Sequence, residues 1–187
     1  VLDTFAEASA TLGYDLWQLI QNGPEAQLNQ TEFTQPALLA ASIALWRLAR
    51  EDGVAEPDML AGHSLGEYSA LIAAGVIDFA DGIKLVQLRG QFMQTAVPLG
   101  EGGMAAVLGL DDEQVSAICS EITHAGGTDT VVQAANYNAP GQVVIAGKNA
   151  GLALAIDACK AAGAKRAMAL SVSAPFHSVL MQPAAEK

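Results

Sequence analysis

Asp58-Met59-Leu60-Ala61-Gly62-His63-Ser64-Leu65-Gly66-Glu67 holds a serine between two glycines, each two positions away. In a G-x-S-x-G pattern the serine stands on a sharp turn between a strand and a helix. The glycines flank it because a side chain at either place would strike neighbouring backbone. The surroundings fit that reading. Pro57–Ala61 reads as a short strand, and helix-forming residues from Glu67 to about Ala74 are followed by Gly75. Such a turn lifts Oγ out of the sheet. It also sets the N–H of Leu65, and the positive end of the following helix, where an oxyanion would develop. Ser64 is therefore the candidate nucleophile, carrying an acyl group as an ester, and a strand leading straight into a helix makes the fold class α/β.

On the N-terminal side, residues 1–22 give two helical stretches broken at Gly13, the second stopped near Gly23-Pro24. Pro36 suits a first helical position, capped by Thr34 or Gln35, in an apolar helix that runs to Gly53. On the C-terminal side a helix covers Phe79 to about Ala96, and Pro98–Gly103 is a hinge-like linker. The pattern then changes to a strand (Met104–Leu110), a helix (Asp112–Ile122), two strands (Val131–Asn136 and Gln142–Gly147) around Asn138–Gly141, a helix (Ala150–Ala162) and a strand (Arg166–Val172). The order β-α-β-β-α-β is the ferredoxin-like arrangement, inserted into a larger α/β subdomain. Residues 1–98 and 173–187 form the larger part, and residues 99–172 the smaller.

The 187 residues, 51% hydrophobic and 16% charged, are those of a globular chain able to bury a sizeable core. Its longest strongly apolar stretch, Ala37–Trp46, is far short of the ~18 residues of a membrane span, and no export signal is visible, so a cytoplasmic protein is expected. Cys119 and Cys159 lack the spacing of a metal site or a disulfide framework and read as buried, reduced fillers; no metal and no resident cofactor are expected. A net charge of −11 argues against nucleic acid as a partner. Lys160, Lys165 and Arg166 gather a third of the nine basic residues within seven positions, a candidate patch for an acidic protein, or a solvated helix end. The chain begins inside an amphipathic pattern and stops within a helical one, as an internal piece of a longer protein would.

A nucleophilic serine needs a base, and the three histidines are His63, His124 and His177. His63 adjoins Ser64 and should point away from Oγ, and His124 falls in a polar helix end. His177 closes Ser173-Ala174-Pro175-Phe176-His177, a loop where the chain returns to the larger part, and is the candidate general base. Arg89 shares a helix face with Leu85, Leu88, Phe92 and Met93. A guanidinium facing apolar surroundings needs an acceptor, either an internal carboxylate or one that arrives with the substrate.

Several runs together resemble the malonyl-CoA:acyl carrier protein transacylase family. They are Ala61–Leu71, Leu88-Arg89-Gly90 with Met93, Asn136–Gly147, and Pro175-Phe176-His177, in order across almost the whole chain. The resemblance implies a larger subdomain of α/β-hydrolase-like form, truncated at both ends here. It implies transfer of malonyl from coenzyme A, the substrate, to the phosphopantetheine thiol of acyl carrier protein, the partner, in fatty acid biosynthesis. Ser64 would be the nucleophile, His177 its base and acid, Arg89 the ligand of the malonyl carboxylate and Leu65 an oxyanion donor. Gln35 would lie beside the site, and Phe176 resembles the malonyl-selective form. The family's opening strand, with a Gly-Gln-Gly loop that supplies a second oxyanion amide, is missing, and so is its C-terminal portion.

Two rivals stand beside this reading. A serine esterase of the α/β-hydrolase type would want an acidic residue between Ser64 and His177 at a core strand end, whereas Asp129 and Asp157 fall in a loop and a helix. A degenerate, non-catalytic acyltransferase module would not need Ser64, Arg89 and His177 together. Because of the missing segments, residues 1–187 alone are expected to fold poorly or to be inactive in malonyl transfer. Measurable transfer by this stretch in isolation would overturn that expectation.

Overall fold

A computed structural model describes residues 1–187, which divide into two compact units, Val1–Gln91 and Phe92–Lys187. The first unit is helical. It comprises α1 (Leu2–Leu12), α2 (Leu16–Asn22), α3 (Glu25–Leu28), α4 (Thr31–Glu51), α5 (Leu65–Ala73) and most of α6 (Phe79–Ala96). Gly13 ends α1 in the left-handed region (φ 79°), its N–H donating to the Ser9 carbonyl, and Asp15 caps α2 by accepting from the Gln18 N–H. Both breaks fall where the sequence places them. Phe5, Ala8 and Leu16 pack against Leu39, Ile43 and Ala44 of α4 and Phe79, Ile83 and Val86 of α6, so α4 is the centre of this unit.

Three expectations for this unit need correction. First, α4 begins at Thr31 and carries Pro36 inside it, rather than starting at Pro36. A proline at that depth removes one helical hydrogen bond and normally disfavours the helix. Here the added turn is anchored from outside: Thr31 and Gln35 are buried, and the Thr34 hydroxyl donates to the Leu28 carbonyl at 2.5 Å. Second, Pro57–Ala61 is extended but is not a strand, because a ladder needs a partner and the first unit contains no strand. Met59, 87% exposed, shows how uncovered this stretch is. Third, the buried row of α6 in this unit is Phe79, Ile83 and Val86, while Leu85 and Leu88 are exposed. The helix is apolar on two faces, and periodicity alone does not say which is covered. Arg89, half-buried, lies on the border between them.

The second unit holds β1 (Gly102–Leu108), α7 (Asp112–Gly126), β2 (Val132–Ala139), β3 (Gln142–Lys148), α8 (Asn149–Ala161), β4 (Arg166–Ala169) and α9 (Gln182–Ala185). The sheet order is β2-β3-β1-β4, all antiparallel, with Ala105 opposite both Ile145 and Ala169. A mixed α/β chain, with strands and helices in the order expected, is thus observed. Val115 and Cys119 of α7 and Leu152, Ala155 and Cys159 of α8 pack on Ala105, Val107, Val143 and Ile145, leaving the core on one face of the sheet. Asp111 caps α7 in a reciprocal box with Gln114.

Boundaries shift where tertiary contacts intervene. The first strand starts at Gly102, and the last ends at Ala169 rather than Val172, although the Leu170 N–H still reaches the Met104 carbonyl. Pro98–Gly103 is tied down: the Asn149 amide donates to the Gly100 carbonyl at 2.6 Å and the Asn149 N–H to the Glu101 carbonyl. No helix is long and apolar enough to cross a membrane.

Cys119 and Cys159 are fully buried in the α7–α8 seam. Burial first, and the neighbouring Cys159 second, push the Cys119 thiol up to about 12, and burial also raises Cys159. Since the thiolate is the reactive form, both thiols should resist alkylation in the native protein at pH 8 and react fully in denaturant. Peptide mass spectrometry checks this, and rapid native labelling of either cysteine would contradict the packing of the second unit.

Candidate active site

Ser64 caps α5 with φ 55° and ψ −115°, a conformation that costs a non-glycine residue about 1–3 kcal/mol and persists only when its surroundings enforce it. The enforcement is local. A Cβ on Gly62 would collide with the Gly66 carbonyl, the Gly66 N–H donates to the His63 carbonyl at 2.9 Å, and the Glu67 N–H donates to the Ser64 carbonyl at 3.2 Å. Leu65 takes the first helical position, whose N–H has no acceptor within its own helix. The turn therefore has the form inferred from the glycine spacing, although no strand leads into it and the two glycines are not equivalent. A Cβ on Gly62 would strike backbone, whereas one on Gly66 would meet open space, so only the first is sterically required.

Arg89, Gln35 and Ser64 come together within the first unit. Arg89 Nη1 donates to Gln35 Oε1 at 2.6 Å, and Nη2 donates to Ser64 Oγ at 3.1 Å. The guanidinium carbon lies 5.8 Å from the centre of the Tyr68 ring. No carboxylate is paired with Arg89; the ion pairs of the unit are Arg47–Glu7, Arg50–Glu56 and Lys84–Asp81. Of the two acceptors considered from sequence, the internal carboxylate is thus not the one observed. The guanidinium is held in a half-buried place by neutral groups, its charge uncompensated beside a serine hydroxyl.

Two further contributors escape the sequence reading. Tyr68 sits one turn beyond Ser64, an i, i+4 spacing that places it on the same helical face. Thr31 accepts from Gln35 Nε2 at 2.9 Å, a contact hidden by the misplaced start of α4.

Apart from His63, the remaining candidates lie in the second unit. His177 is exposed at φ 59°, in a loop braced at both sides: the Ser178 hydroxyl donates to the Pro175 carbonyl at 2.7 Å, and the Val179 N–H to Gln133 Oε1 at 3.0 Å. Pro175 is fully buried, and a Cβ on Gly102 would stand 2.8 Å from its ring, so a glycine in β1 makes room for this loop. Phe176 packs with Met93, Val97, Ala174 and Met181. His124 is exposed, with Nδ1 donating to the Ser120 carbonyl at 2.7 Å, and His63 is exposed beside the turn. Lys160, Lys165 and Arg166 are exposed around the α8–β4 turn. Lys160 is 3.8 Å from Asp157, and the Lys165 stem lies over Gly109.

The acyl transferase domain family matches residues 2–187. The chain belongs to that family. This acyl transferase domain is 58% identical over its whole length to the malonyl CoA-acyl carrier protein transacylase of Salmonella typhimurium, and 51% identical over 183 residues to that of Bacillus subtilis. It spans about 59% and 56% of those relatives' lengths. Among solved structures it resembles a malonyl transacylase in complex with a type II polyketide acyl carrier protein (TM-score 0.93, 57% identity, covering 98% of this chain and 58% of that one). It also resembles the malonyl CoA-acyl carrier protein transacylase of Coxiella burnetii (TM-score 0.94, 49% identity, 99% and 57%). The resemblance read from the quoted runs is borne out.

Because the turn depends on the absence of a side chain at Gly62, Gly62→Ala in the acyl transferase domain should lower stability by about 1–3 kcal/mol, the usual effect of overpacking. Equilibrium denaturation measures this. A variant as stable as the parent would mean that the Gly62–Gly66 approach does not enforce the turn.

Proposed function

We propose that the full-length protein carrying this chain transfers malonyl from coenzyme A to the phosphopantetheine thiol of an acyl carrier protein, supplying acyl chain building in fatty acid biosynthesis. The carrying observation is Arg89 placed beside Ser64 Oγ with no carboxylate of its own. A guanidinium presents two parallel donors to a carboxylate, so the missing counter-charge suits an acyl group that brings one.

In the proposed reaction His177 takes the proton of Ser64 Oγ as Oγ attacks the thioester carbonyl of malonyl-CoA. The oxyanion is met by the Leu65 N–H. Collapse breaks the C–S bond, and His177 returns the proton to the departing coenzyme A thiolate. The pantetheine thiol then gives its proton to His177 and attacks the Ser64 ester, and the serine oxygen leaves with that proton. Arg89 holds the distal carboxylate throughout, Gln35 orients Arg89, and Phe176 limits the size of the acyl group. No resident cofactor takes part.

The same reading assigns residues 1–98 and 173–187 to an α/β-hydrolase-like subdomain and residues 99–172 to a ferredoxin-like one, supported for the latter by the sheet order β2-β3-β1-β4. It assigns Lys160, Lys165 and Arg166 to the acidic carrier protein. A neutral-ester esterase has no use for Arg89, and Asp129 stands in a short turn ahead of β2 and Asp157 on α8, neither at the C-terminal end of a strand.

Intact-protein mass spectrometry of the full-length protein after malonyl-CoA should show one malonyl adduct, absent in Ser64→Ala. Arg89→Ala should cut malonyl loading roughly tenfold to a hundredfold, as expected for a lost charge-assisted contact, and spare acetyl loading. Equal loss of both would remove the carboxylate role, and rapid hydrolysis of malonyl-CoA without thiol acceleration would favour an esterase. Lys165→Glu with Arg166→Glu should slow transfer to carrier protein and leave transfer to free pantetheine unchanged.

A further inference from the structure

Arg89 reaches Ser64 Oγ from a helix that also carries Gly90, and the two residues meet the first turn of α4 in different ways. A Cβ on Gly90 would lie 2.5 Å from Glu32 Cα and 2.7 Å from the Thr31 carbonyl, so the absence of a side chain lets α4 and α6 touch backbone to backbone beside the guanidinium. At that contact Thr31 is 6% exposed and Gln35 5% exposed, which puts their hydrogen bond out of water's reach.

The chemistry of the three groups is directional. A guanidinium only donates, so the Gln35 amide must turn Oε1 toward Arg89, and this leaves Nε2–H pointing back along α4. A buried amide N–H needs an acceptor, and the Thr31 hydroxyl oxygen, one turn earlier, provides it at 2.9 Å. The relay Thr31–Gln35–Arg89–Ser64 thus runs through bonds of 2.9, 2.6 and 3.1 Å.

Resting on the malonyl-transfer reading above, we propose that Thr31 is a positioning residue for carboxylate selectivity. It never meets the substrate; it holds the Gln35 amide so that Arg89 is aimed at the place where a malonyl carboxylate binds. Without the hydroxyl, the Gln35 amide loses this 2.9 Å contact, its orientation is less firmly fixed, and the brace on Arg89 weakens. An acyl group with no carboxylate does not use Arg89 and is indifferent to the change.

Thr31→Val keeps the shape and removes the oxygen, whereas Thr31→Ser keeps the oxygen. In the full-length protein Thr31→Val should raise KM for malonyl-CoA roughly threefold to tenfold, the effect of losing one buried hydrogen bond. The rate of acetyl loading of Ser64 from acetyl-CoA should stay at the parent value, and Thr31→Ser should restore malonyl KM. Unchanged acetyl loading also reports that the valine variant is folded. Equal losses of malonyl and acetyl loading, or a parental malonyl KM in Thr31→Val, would overturn this role alone. A parent protein that forms no malonyl adduct on Ser64 would overturn the transfer reading and this role with it.

Discussion

The 2.6 Å bond between Arg89 and Gln35 joins the two longest helices of the first unit at a place where a charge is drawn into it without a carboxylate partner. Much else in that unit follows from accommodating it. The bond requires α4 to extend back to Thr31, although Pro36 opposes a helix there, and it requires Gly90 on α6 so that the two backbones can touch. It also requires α5 to start where Ser64 can accept from the other arm of the guanidinium. Desolvating a charge without a counter-ion is costly, and a protein keeps such an arrangement in a folded unit only when many neutral contacts share the load. The Tyr68 ring, the Gln35 carbonyl and the Ser64 hydroxyl are those contacts.

Sequence carried the chemistry further than it carried the boundaries. The glycines around Ser64 announce a strained turn because only a missing Cβ permits the approach of Gly62 to Gly66, and that requirement is local. The β-α-β-β-α-β order was legible for the same reason: Gly109, Gly141 and Gly163, all at positive φ, stand at the ends of its elements. The start of α4 was not legible, since proline propensity points to Pro36 while the anchoring of Thr31 comes from residues almost sixty positions away. Pro57–Ala61 failed for a related reason. Strand character depends on a partner, and none of the strands of this chain lies in the first unit.

Arg89 illustrates a partial success. Its unusual setting was visible from spacing, but the reason offered, a shared face with Leu85 and Leu88, was only half right, because those leucines are exposed while Ile83 and Val86 carry the packing. What survives is the demand for an acceptor, a matter of charge rather than of which face is covered. The role of Tyr68 needed only helical arithmetic from Ser64; that of Thr31 needed the tertiary contact itself.

In the second unit, the two sheet margins are β2, irregular between Ala134 and Asn136 and again between Tyr137 and Ala139, and β4, only four residues long. Bulged or very short margins offer a poor template for further strand pairing. A unit edged in this way resists joining its sheet to that of a neighbouring copy. What the four-residue margin presents instead of a long ladder is charge: Arg166 opens β4 and Lys165 precedes it, both exposed.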